Sequence, residues 1–204
     1  MRLSYPIHIL EPIHQEKPSK GFRYKPAVAY LLSVFSEVDI ALIENCKVYS
    51  RSPFRYMPWY NAQKGGGAIT LGNKNWQSIT FTENFFSDDK SSYAHAAYLN
   101  NLYTWLKLSS HEVGHLSHAL RFKSLIVYLI VFIVQYVRYG HDGAPLEHEA
   151  NVGSDNFKAF HSYVYSSENP TVLSKILESD LSEAEKIEEI KLIISKYRTK
   201  NTLV

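Results

Sequence analysis

An α+β fold, mainly helical with a small β-sheet or hairpin, is predicted by three observations. Residues 68–82 carry two β-rich runs around the turn sequence "GNKN". From about Tyr93 onward, apolar residues recur at helical spacing between short breaks of glycine, proline and asparagine. The chain has 204 residues, 45% hydrophobic and 21% charged, which suits one domain with a real core. A single domain spanning 1–204 is therefore expected, without internal repeats or a domain-sized linker.

Each element has its own reason. Residues 1–26 are proline-rich with little periodicity and read as an irregular arm. "KPAVAYLLSVFSEV" reads as a short helix with Ala27, Tyr30, Leu31, Val34 and Phe35 on one side. "CKVYSRSPFRYMPWYNA" is broken by Pro53 and Pro58, and "KGGG" reads as a flexible link. The hairpin pairs Ala68–Leu71 with Ser78–Thr82. "SYAHAAYLNNLYTWLKLSSHEVGHLSHALRF" reads as one helix broken near Ser109 and Ser110, or as two.

"SLIVYLIVFIVQYV", residues 124–137, is apolar throughout. As a helix it reaches roughly 21 Å, against a bilayer core of ~30 Å. A helix buried on nearly all sides is expected, not a membrane span. Membrane or partner contact is the alternative, with Lys123 and Arg138 as polar flanks. Beyond "YGHDGA", Pro145 suits the first position of a helix running toward Tyr165. Asn169-Pro170 opens another short helix. "SEAE", residues 182–185, is a capping-box pattern, and the last helix buries Ile187, Ile190, Ile193, Ile194 and Tyr197.

Composition excludes some functions. A net charge of +2 with scattered basic residues gives no phosphate-binding surface, so no nucleic-acid partner is expected. Cys46 is the only cysteine, which excludes an internal disulfide and a cysteine-based zinc site. The first residues, "MRLSYPIHILEP", hold no continuous apolar run. A cytoplasmic location is expected, or export by a route without a cleavable signal peptide.

The chemistry lies in "HEVGH", residues 111–115. Positions i and i+4 share a helix face, so His111 and His115 can aim two imidazoles at one metal. Glu112 stands beside them as a base for a metal-bound water. Zn2+ favours nitrogen ligands, and catalytic zinc keeps three protein ligands plus water. Gly114, costly inside a helix, implies close backbone approach. For the third ligand, His118 lies roughly 10 Å further along the axis than His111, too far for a shared ion with bonds of ~2.1 Å. It packs on the same face or supports the ligands from behind. His141 and His148 are candidates. The better one is Glu147 in "PLEHEAN", presented from the start of a second helix. Asn151, four residues on, shares its face and can accept the outer N–H of a ligand histidine. Glu149 is about 200° around the helix from Glu147 and reads as solvated or as a salt-bridge partner.

"HEVGH" followed by "EHEAN" resembles the gluzincin metallopeptidases. The "E-x-E-A" form is similar to membrane-associated integral metallopeptidases, and to small peptidase-like domains of bacterial toxin and secretion systems. The resemblance covers about residues 65–160, including the "GGGAITLGN" hairpin. It implies a zincin-like fold with the small sheet near the HExxH helix, zinc bound by His111, His115 and Glu147, and Glu112 as catalytic general base. The expected activity is zinc-dependent hydrolysis of a peptide bond in a peptide or protein substrate. Asn151 departs from the family, which usually has aspartate there. Tyr139, His141 and His148 are the candidate oxyanion donors. The rival readings are a zinc-binding protein without catalysis and an exported peptidase toxin.

Overall fold

The hairpin forms where its residues place it. β4 (Ala68–Asn73) and β5 (Trp76–Thr82) pair antiparallel around Lys74 and Asn75, with Ile69 opposite Thr80. This computed structural model describes residues 7–14, 21–51, 67–82 and 102–202. The segment around Pro53 and Pro58, and the helical pattern from Tyr93 to residue 101, lie outside them.

Three further strands extend the sheet: β1 (Leu10–Pro12), β2 (Phe22–Tyr24) and β3 (Lys47–Arg51). The order is β1-β2-β3-β5-β4, and only β3 and β5 run parallel. The first two strands correct the reading of residues 1–26 as an irregular arm. Ile9, Leu10, Phe22 and Tyr24 are buried core residues. Strands of three residues carry too few alternations to reveal a period of two. Pro12 is tolerated because β1 is a terminal strand of the sheet.

α1 (Pro26–Ser36) starts on its proline and buries Ala27, Leu31 and Phe35 as expected. α2 (Ile40–Asn45) is a short helix absent from the sequence reading. Asp39 caps it by accepting from the Ala41 N–H at 2.9 Å. α3 (Leu102–Gly114) carries the first motif, and α4 (Leu116–Phe122) continues it. The break falls at His115, not at the two serines. Ser110 instead donates to Leu106 O at 2.9 Å and stays helical, while His115 N turns tightly back to Glu112 O at 3.2 Å.

α5 (Leu125–Tyr139) is not buried on nearly all sides; only Tyr128 is buried. Tyr128, Phe132 and Tyr136 line the inner cleft, while Ile126, Val127, Ile130, Ile133, Val134 and Val137 are 45–80% exposed. A helix that is apolar all round shows no preferred face by hydrophobicity alone. No single helix among the described residues is long and apolar enough to cross a membrane. α3–α4 and α5 together reach that length but are bent by 119°.

α6 (Pro145–Ser167) and α7 (Val172–Glu178) follow. α8 (Glu183–Thr202) opens on the expected capping box, with Ser182 N donating to Glu185 Oε2 at 2.8 Å. Ile190, Ile193 and Ile194 are buried, and Ile187 and Tyr197 pack beside them. The Phe35 ring lies 4.7 Å from Phe160 and 5.8 Å from Phe157, joining α1 to α6. Phe81 and Trp105, 4.7 Å apart, join the sheet to α3.

α3 and α6 meet backbone to backbone. A Cβ on Gly114 would lie 2.9 Å from Ala150 Cα, and one on Gly153 only 2.5 Å from Ser110 O. Overpacking costs ~1–3 kcal/mol, and the helix gain of an alanine, up to ~1 kcal/mol, offsets only part of it. Gly153→Ala should therefore lower the urea midpoint. An unchanged or raised midpoint would remove the close-packing account.

Candidate metal centre

The motif helix presents its histidines inward because α3 is buried along Ser109, Ser110, Val113 and Gly114. α6 starts on Pro145 and puts Glu147 in its first turn, aimed at the same spot. The three ligand atoms converge. His111 Nε2 and His115 Nε2 are 3.3 Å apart, and Glu147 Oε2 lies 3.2 and 3.6 Å from them. Around a tetrahedral ion with bonds of ~2.1 Å, ligand atoms stand ~3.4 Å apart. Glu147 Oε2 is buried, yet neither imidazole N–H meets it in hydrogen-bond geometry. These are the only three His, Cys, Asp or Glu residues among the described ones that group in this way.

The neighbours are ordered. His111 Nδ1 lies 2.9 Å from Asn151 Oδ1, which can only accept, so the proton sits on Nδ1 and Nε2 keeps its lone pair. Glu112 is 5% exposed. Thr70 Oγ1, on β4, lies 2.8 Å from Glu112 Oε2 and 2.9 Å from its carbonyl oxygen. Burial pushes the Glu147 carboxyl up, but His111 and His115 outweigh that and hold it below the usual carboxylate range. Burial pushes His111 down, and Glu147, Glu112 and Asn151 together outweigh it. Burial, with His115 adding to it, takes His118 down to about 4.

The cleft is lined by Ala68, Ile69, Thr70, Tyr128, Phe132, Tyr136 and His141 around the motif residues. His111, Glu112, His115, Glu147 and Asn151 are thus brought together as the sequence reading expects. Of the three oxyanion candidates, His141 reaches the cleft, with Nε2 3.9 Å from Glu147 Oε2. Tyr139 and His148 are exposed and do not line it. Thr70, Tyr128 and Tyr136 went unread. Their signals were a lone hydroxyl on the inward face of a β-run and aromatics recurring every four residues.

No protein-family model, curated protein or solved structure matches this chain.

Purified without chelator, the protein should carry about one zinc per chain, the expectation for a three-ligand site. Glu147→Ala should lose it. Elemental analysis finding no zinc in the wild type, or full zinc in the variant, would dismiss this ligand set.

Proposed function

We propose that the chain is a zinc-dependent peptidase of the gluzincin type, with His111, His115 and Glu147 as ligands and Glu112 as general base. The ligand spacing of 3.2, 3.3 and 3.6 Å, close to a tetrahedral edge, carries the reading. A zinc ion there supplies Lewis acidity, lowering the pKa of an attacking water toward ~7 and polarising the scissile carbonyl.

This chain's residues do the rest. Thr70 holds Glu112 Oε2, so Oε1 is the atom that takes the water's proton and passes it to the departing amine. Tyr128, Tyr136 and His141 line the cleft and are the donors at hand for the developing oxyanion. β4 is a terminal strand of the sheet and its Ala68–Thr70 segment borders the cleft. An extended peptide can pair along it through backbone hydrogen bonds. α5 contributes Tyr128, Phe132 and Tyr136 to the wall of the cleft.

Glu112→Gln keeps the size and removes the proton acceptor. Zinc content should persist while cleavage of a mixed peptide library falls about 10²–10⁴-fold. Equal cleavage by both proteins would refute the role of Glu112. Zinc in both with cleavage by neither would make this a zinc centre without catalysis.

A further inference from the structure

We infer that His118 and Glu149 form a hydrogen-bonded relay that fixes His115 in the tautomer a metal ligand requires. The inference rests on the metal reading above and adds two positioning residues to it.

The relay runs from α6 to the centre through α4. Glu149 Oε2 lies 3.1 Å from His118 Nε2, and His118 Nδ1 lies 3.2 Å from His115 Nδ1. A carboxylate only accepts, so the His118 proton sits on Nε2. The neutral His118 ring then offers a bare Nδ1, which accepts from His115 Nδ1–H. His115 Nε2 is left with its lone pair facing Glu147 Oε2 and His111 Nε2. The reverse polarity would put a proton on His115 Nε2 and block the ion.

The two ligand histidines are therefore held by one helix in two ways. Asn151 takes the His111 Nδ1–H directly, and Glu149 reaches His115 through His118. His118 is 1% exposed, so its ring nitrogens depend on these two partners. Glu149 is also paired with Arg121 at the surface. Both groups of that pair are exposed. An exposed ion pair alone contributes little, so the two roles can be separated by mutation.

Zinc affinity, read by chelator competition, tests this in the full chain. Glu149→Ala and His118→Phe should each weaken zinc binding about 10–100-fold, the usual effect of removing a ligand's outer partner. Glu149→Gln, whose amide oxygen still accepts, should recover most of the loss. Arg121→Ala removes the surface pair alone and should change affinity little. Long-range 1H–15N NMR of the zinc-loaded wild type should find His118 protonated on Nε2 and His115 on Nδ1, a readout that mere stabilisation would not move. Wild-type affinity in a folded Glu149→Ala, equal loss in Arg121→Ala, or His118 protonated on Nδ1 would overturn the relay and leave the metal centre standing. A wild type that takes up no zinc would overturn both.

Discussion

The close crossing of α3 and α6 is the constraint on which the site depends. The candidate ligands come from two helices whose motifs, residues 111–115 and 145–151, are separated by 29 residues of chain. Their atoms meet within 3.6 Å only because the backbones approach to the limit set by bare Cα atoms. Gly114 faces Ala150, and Gly153 faces Ser110 and Ser36. A Cβ at either glycine would lie 2.9 or 2.5 Å from backbone of the facing helix, so the helices would have to shift apart. An imidazole–carboxylate pair at coordination distance cannot absorb that shift, since metal–ligand bonds tolerate about 0.2 Å. The helix propensity given up at two glycines thus fixes the geometry of the centre.

The same crossing buries charge. Glu147 is 3% exposed and Glu112 5%, and the ion pairs of Glu147 among the described residues are with histidines alone. An uncompensated buried carboxylate costs several kcal/mol. Burial lowers the proton affinity of His111, and the neighbouring Glu147, Glu112 and Asn151 together outweigh it. On the proposed metal reading, a divalent cation would satisfy Glu147 Oε2, the buried oxygen otherwise without a donor. Metal and proton would then compete for one cluster, and metal affinity should weaken as pH falls through the histidine range.

Much of the site was legible because its information is local. The HEVGH spacing places two rings on one helical face, and Pro145 sets the register that brings Glu147 inward and Asn151 with it. The hairpin was legible for the same reason, a short turn between β-rich runs. What escaped depends on contacts distant in sequence. β1 and β2 are three residues long, and their burial comes from pairing across the sheet, not from a pattern of their own. Thr70 reads as an ordinary strand residue until the sheet edge is laid against α3. Gly114 announced a close approach; Gly153, its counterpart in α6, carried the same mid-helix signal and went unread.

α5 shows the limit of reading burial from composition, and the reason has a bearing on the site. Its apolar residues divide by shape. The aromatics Tyr128, Phe132 and Tyr136 recur every four residues and turn to the cleft, while the β-branched Ile126, Val127, Ile130, Ile133, Val134 and Val137 turn outward. A hydrophobicity pattern sees one uniform stripe. Side-chain chemistry separates two: aromatic rings, with hydroxyl tips at Tyr128 and Tyr136 that can donate, and aliphatic groups that can only pack. The polar-tipped face lies where a cleft holding carboxylates and imidazoles needs donors inside an otherwise dry wall. Burial raises the Tyr128 hydroxyl above its ordinary pKa, with Glu112 and Glu147 adding to the effect, which favours its protonated form. The helix that looked like plain core is better understood as the wall of the site, and its inner face was written in the spacing of the tyrosines.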